Sequence, residues 1–171
     1  MDLTALLDSA RPDDPLVALD FSATMLERGR AKARRARVVV GDALALPFDG
    51  REIAAVVCGF GMRNLADVPQ GVREVRRVLA RGGVFVTLEF FRPERLVTRA
   101  FHKAYASVLL PAVGGALSGD RGAYAYLARS MDRFLTRGEY QRLLSGAGFA
   151  CVEGWDLTLG VASIVRAEAG S

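Results

Sequence analysis

Two acidic residues close apolar runs 22 positions apart: Asp20 ends PLVALD and Asp42 ends RVVVGD. A carboxylate at Asp20 can accept two hydrogen bonds from a ribose diol. It can equally act as a negative charge at the start of a following helix. Asp42 beside the Ala43 backbone N–H can recognise the amino group and ring nitrogen of an adenine, or it can close an Asx turn. The pair in this order, followed by Leu46-Pro47-Phe48, is a more specific pattern than either acid alone. A third run ends in CGFGMRN, residues 58–64. Gly59 and Gly61 let the backbone approach a ligand closely. Arg63 can steady an enolate or phenolate oxygen and Asn64 can orient a hydroxyl or a water; the alternative is a loop ion pair and a turn cap. Glu89, at the end of a fourth run, is either a polar site residue or the counter-charge of nearby Arg92. His102 is the only histidine and has no Cys, Asp or Glu at ligand spacing, so it reads as ordinary structure and no metal site is expected. No G-x-x-x-x-G-K, C-x-x-C or G-x-S-x-G occurs, which leaves P-loop, dithiol and serine-hydrolase chemistry without support.

The elements that must position these residues alternate in type. Residues 3–9 read as a short helix and 15–20 as a strand. Residues 22–35 read as a helix capped by Ser22, with Met25, Leu26 and Gly29 on one face. Residues 37–42 and 53–60 are strands. Val72, Val75, Val78 and Leu79 recur at helical spacing within 68–79. Arg81-Gly82-Gly83 stops that helix before a strand at 84–90. Residues 96–110 and 124–133 are helical in pattern. Thr136 and Glu139 form a capping box for a helix that Gly146 and Gly148 end. Residues 151–158 and 161–167 make a hairpin about Gly160. Continuously apolar strands alternating with helices predict an α/β fold with a parallel sheet covered on both faces. In such sheets ligands bind at the carboxyl ends of the strands.

Composition bounds the reading. The chain has 171 residues, 51% hydrophobic and 25% charged, which excludes a disordered or low-complexity protein and predicts one domain over 1–171. The longest apolar stretch, 108–117, is interrupted by Pro111 and two glycines and is too short to span a membrane. The acidic N-terminus is not a secretory signal. The net charge is +4, from 23 basic residues of which 21 are Arg. The basic run at 28–37 has no interleaved aromatics, so a solvated helix face is expected rather than a nucleic-acid surface. Cys58 and Cys151 sit in strand-like runs and are expected to be buried free thiols in a reducing cytoplasm.

D-F-S-x-x-M-L, G-D-A-x-x-L-P-F, F-G-M-R-N and R-V-L-x-x-G-G, in this order, resemble a class I S-adenosylmethionine-dependent methyltransferase. The later segments LPAVGGALSGDRGAYAYLARSM, AGF and DLTLGVASIVRA make the chain similar to the UbiE-type C-methyltransferases of ubiquinone and menaquinone biosynthesis. The resemblance runs from Asp2 to Ala167; F-G-x-R-N and A-Y-x-Y-L-x-x-S are its specific elements. It implies a Rossmann-like sheet, mostly parallel, with a C-terminal antiparallel hairpin. It implies S-adenosylmethionine as cofactor, with Asp20 and the adjoining Phe21 at the ribose, Asp42 and Ala43 at the adenine, and Gly59 near the cofactor where the family often has Ser. Arg63 and Asn64 fall on the motif implicated in catalysis. The implied reaction is methylation of a ring carbon of a polyprenyl quinol, in a cytoplasmic enzyme with peripheral contact to the inner membrane.

The sequence also departs from the family pattern. The family's G-x-G-T-G-D-L-T loop follows its central first strand, whereas this sequence starts at M-D-L-T. The central strand, that loop and a Tyr-Asp-x-Met-Asn motif are missing from it. Ile53-Ala54 replaces an aromatic-Asp pair, Ala80-Arg81 replaces Lys-Pro, and Phe91 replaces a small polar residue. The missing strand belongs between the strands at 16–20 and 53–60, so either a gap or a new pairing of those two is expected. These 171 residues alone are expected to bind the cofactor weakly or not at all. Two further readings stand beside the quinol methyltransferase. One is a non-catalytic remnant or binding subunit, pairing with another chain or a second copy through an open sheet edge. The other is a methyltransferase for another small molecule.

Overall fold

The alternation of apolar and amphipathic runs folds into two compact units, Met1–Asp49 and Gly50–Ser171, in the computed structural model. The structure describes residues 2–93, 130–157, 160 and 162–170. The expected helix at 96–110, most of that at 124–133, His102 and the apolar stretch at 108–117 lie outside the described residues.

The first unit contains α1 (Asp2–Ala10), β1 (Val17–Asp20), α2 (Ala23–Arg30) and β2 (Arg37–Val40). β1 and β2 pair in parallel, from Val17 opposite Arg37 to Asp20 opposite Val40. Ser22 caps α2 by accepting a hydrogen bond from the Met25 N–H, at 3.3 Å. The helix is shorter than the expected 22–35 because the chain leaves it after Arg30 in turns, and Ala33 and Ala36 then fill the core. Leu26 and Gly29 face inward as expected. Met25 does not; it is half exposed. The buried cluster is small: Ala18, Leu26, Ala33 and Ala36, flanked by Ala5, Leu16 and Val38.

The second unit is built on β3 (Ile53–Gly59), α3 (Val68–Val78), β4 (Leu79–Glu89), α4 (Arg137–Gly146), β5 (Phe149–Leu157) and β6 (Ala162–Ala169). Its sheet order is β3-β4-β6-β5. β3 and β4 are parallel, and β6 is antiparallel to both β4 and β5. The sheet class is therefore mixed, with the expected C-terminal hairpin. Asp67 caps α3 through the Gln70 N–H, and Val72, Val75 and Val78 bury its apolar face. Arg81-Gly82-Gly83 does not separate helix from strand. β4 begins at Leu79, and residues 80–83 are taken up where the β3–β4 register jumps between Leu79 and Val84. The Thr136–Glu139 capping box forms in both directions. The Glu139 carboxyl lies below its ordinary range, chiefly because the Thr136 N–H donates to it.

Among the described residues β1 pairs only with β2 and β3 only with β4. The alternative of a new pairing between the 16–20 and 53–60 strands is not taken. One expectation about the thiols fails. Cys58 is partly buried, but Cys151 is exposed. It sits on the edge strand β5, where the register slips between Ala150 and Glu153, with a left-handed φ of 47° that turns the chain out of the regular pleat.

Candidate active site

In the first unit the two strand-end acids have the same local geometry. Asp20 Oδ1 accepts from the Ser22 N–H at 2.8 Å, and Asp42 Oδ1 accepts from the Leu44 N–H at 2.9 Å. The local roles open to both residues are thus filled by one oxygen each. Oδ2 of each carboxylate, and the Ala43 N–H, have no partner among the described residues. Phe21 is 82% exposed, and Val40, opposite Asp20 in the ladder, is also exposed. An isolated monomer face gains nothing by presenting a phenylalanine to water. Two pinned carboxylates, an open backbone donor and an uncovered aromatic side chain are the donor set that suits an adenosine: acceptors for a diol and an amine, a donor for a ring nitrogen, and apolar surface for a flat base.

In the second unit the chain leaves β3 through a turn that the sequence builds tightly. The Phe60 N–H extends the ladder to the Leu88 carbonyl at 2.8 Å, and Phe60 itself takes a left-handed φ of 57°. A Cβ at Gly61 would lie 2.8 Å from Cys58 Sγ, so a larger residue there would have to displace that thiol. A single 3₁₀ turn, Met62–Asn64, follows. It carries Arg63 inward, where the side chain is only 9% exposed, against a fully buried Glu89. Arg63 Nη1 donates to Glu89 Oε1 at 2.7 Å and to the Phe60 carbonyl at 2.7 Å, and Nε donates to Ser130 Oγ at 3.3 Å. Glu89 also accepts from the Arg63 N–H (3.2 Å) and the Phe90 N–H (2.8 Å). The Phe60 and Phe90 rings stack 4.6 Å apart, with the guanidinium carbon 5.7 and 5.6 Å from their centroids. Nη2 of Arg63 has no partner among the described residues. Asn64 is exposed and its amide donates to the Phe60 carbonyl at 3.1 Å. Gly59 ends β3, exposed, one residue before this turn.

Burial sets the proton affinities here. It raises the Glu89 carboxyl, against the opposing pull of Arg63 and the two backbone N–H groups. It also pushes the Cys58 thiol up to about 11, with Glu89 adding to the effect. Tyr140, buried and bonded to Thr87 at 3.0 Å, is raised for the same reason. Of the two roles open to Glu89, the counter-charge of Arg92 is not taken: Glu89 holds the candidate site residue Arg63, while Arg92 pairs with Glu139 at 3.0 Å. Ser130, the last residue of the A-Y-x-Y-L-x-x-S element, was not singled out by sequence reasoning. Its place at the end of a family-specific element was the available signal.

Among the described residues no group of His, Cys, Asp and Glu could hold a metal, and no helix is long and apolar enough to cross a membrane. The chain matches the ubiE/COQ5 methyltransferase family over residues 1–168. It belongs to that family. The family's members are methyltransferases and hence enzymes. The demethylmenaquinone methyltransferase of Thermus thermophilus is 38% identical over 167 residues, covering 95% of this chain and 76% of that one. A ubiquinone/menaquinone biosynthesis C-methyltransferase UbiE of Geotalea uraniireducens is 34% identical over 159 residues, covering 90% of this chain and 67% of the relative. Among solved structures, the putative methyltransferase in complex with the Trm112 activator of Haloferax volcanii superposes with a TM-score of 0.72. That match has 17% identity and covers 97% of this chain and 76% of that one. A SAM-dependent methyltransferase of Thermotoga maritima gives 0.64 at 16% identity, covering 90% and 72%. These neighbours establish the class I methyltransferase fold.

Proposed function

We propose that the chain takes part in S-adenosylmethionine-dependent C-methylation of a polyprenyl quinol of the demethylmenaquinone kind. The observation that carries the reading is the Phe60–Asn64 turn, a family-specific motif whose arginine is pinned on three sides and leaves one nitrogen to offer. When bound, the cofactor supplies an electrophilic methyl group. The residues of this chain do the rest. Asp20 and Phe21 hold the ribose end; Asp42 and the Ala43 N–H hold the adenine, and Gly59 leaves the backbone open beside the cofactor. The quinol ring must lose a hydroxyl proton, passed to the water that Asn64 orients, before its carbon can attack. Arg63 Nη2 donates to the hydroxyl oxygen as negative charge develops on it, and Asn64 orients the hydroxyl or a bridging water. The guanidinium needs no reorganisation during the reaction because Glu89, Ser130 and the Phe60 carbonyl already fix it.

The lipid acceptor brings the chain to the membrane surface as a peripheral protein. The test is transfer of labelled methyl from S-adenosylmethionine to demethylmenaquinol dispersed in detergent. Labelled menaquinol is expected, falling by roughly 10²–10³ in Arg63→Lys, because the ammonium cannot reproduce the fixed fork. Transfer to other small phenols but not to the quinol would move the chain to a sibling substrate.

A further inference from the structure

The second unit carries a basic cleft that the methyl-transfer reading does not use. It is an open cavity of about 600 Å³, lined by Arg51, Arg73, Arg76 and Arg77 around a floor of Ala147 and Gly148. Arg73, Arg76 and Arg77 lie at i, i+3 and i+4 near the end of α3, so one helix face carries all three. The lining contains no carboxylate. Arg77 is closed off by Glu74 through two contacts of 2.8 Å. The other three have no carboxylate partner among the described residues. Arg73 donates only to the neutral Gln70 amide oxygen, at 3.1 and 2.8 Å. Arg76 donates to the carbonyls of Gly148 and Gly170, at 3.1 and 3.0 Å. The Arg51 side chain has no ion pair or hydrogen bond among the described residues, and its backbone is held at a left-handed φ of 66°.

Cations near a helix C-terminus serve its dipole. Here, however, the terminal carbonyls of Arg77 and Val78 are already satisfied by the Arg51 and Glu52 N–H groups, at 3.0 and 2.9 Å. None of the guanidiniums is therefore spent on these two α3 carbonyls, although Arg76 holds the chain just past the end of α4 through the Gly148 carbonyl. Three guanidiniums with no carboxylate partner line one cavity: the Arg51 side chain is unbonded among the described residues, and Arg73 and Arg76 bond only neutral oxygens, so their like charges repel one another. They become favourable together only when a shared anion is bound.

We propose that this cleft binds a multiply charged phosphoryl group, a phosphate monoester or diphosphate. Guanidiniums match its oxygens two at a time, and the small floor leaves room for it. The cleft lies where β3 and β4 begin, at the end opposite Gly59 and Glu89. Seven residues of strand, roughly 20 Å, separate it from the candidate active site. The site is thus distinct from the methyl-transfer centre and stands independently of the function proposed above.

The group could come from a soluble phosphate compound or from an anionic phospholipid headgroup. The full chain is titrated with inorganic pyrophosphate by calorimetry, and sedimented with phosphatidylcholine vesicles with and without phosphatidylglycerol. The same is done for Arg51→Gln/Arg73→Gln, which removes no contact that holds the fold together; its unliganded melting curve should match the wild type. Saturable pyrophosphate binding, weakened at least about tenfold in the double variant, supports the site with a soluble source. Retention on phosphatidylglycerol vesicles that the double variant loses supports it with a headgroup source. No binding of either probe by the wild type, or equal binding by the double variant, overturns it.

Discussion

Arg63 and Glu89 place opposite charges 2.7 Å apart, Glu89 fully buried and Arg63 nearly so. Breaking such a pair is costly because one buried charge is left alone. Arg63→Met should therefore destabilise the chain by about 3–5 kcal/mol at neutral pH. The pH dependence has a definite sign. Burial raises Glu89 above its ordinary value of 4.5, so the folded chain holds that proton more tightly than the unfolded chain does. Ionised Glu89 then weighs against the fold, most of all without Arg63. The deficit should shrink as pH falls through the raised pKa towards 4.5, and Arg63→Met/Glu89→Gln should recover most of it at neutral pH. Thermal melts across a pH series check this; a deficit that does not change with pH would contradict it. At this scale the sequence showed which residues matter but not how they pair. Glu89 and Arg92 are neighbours in the chain, whereas the partner Glu89 takes is 26 residues away. A carboxylate ending a fully buried strand requires a cation, but sequence spacing does not say which one.

Helix starts that carry capping chemistry were legible almost to the residue, although α2 ends five residues sooner than its pattern suggests. Ser22 opens α2, and the Thr136–Glu139 box opens α4. Thr136→Ala removes the Oγ that accepts from the Glu139 N–H and should cost about 1 kcal/mol, read as a lowered denaturant midpoint with unchanged slope. An unchanged midpoint would mean that the box forms without contributing. Elements shaped by long-range pairing were harder to read. Residues 80–83 look like a turn because Gly82 and Gly83 are turn residues, yet they lie inside β4, as a bulge opposite β3. Gly83 is required there by close approach: a Cβ would stand 2.9 Å from the Ala80 carbonyl oxygen and 3.1 Å from that of Ala54. Cys151 was misread for a related reason. Its apolar neighbours suggest burial, but β5 is an edge strand and the register slips at that point.

At the scale of the whole molecule, the family motifs carried the fold class and the C-terminal hairpin. The division at Asp49/Gly50 had no such signal, since no linker composition marks it. The first unit has only a small cluster of mostly alanines in its core. The second buries large side chains such as Phe85, Tyr140, Leu144 and Leu79. Each buried CH₂ contributes about 0.8 kcal/mol, so β1 and β2 should open more readily than β4 and β6. Hydrogen exchange should show faster amide exchange in β1 and β2; equal protection would mean that the units unfold as one. The residues proposed to hold the adenosine all lie in the first unit, so ligand binding should slow its exchange. The most direct test of the account is calorimetric titration of S-adenosylmethionine and 5′-methylthioadenosine into the chain and into Asp20→Asn. The account predicts weak binding of both by the wild type and a loss of at least about tenfold for both in the variant, since both share the ribose that Asp20 is proposed to hold. Binding of both compounds by the wild type that Asp20→Asn leaves unchanged would contradict it.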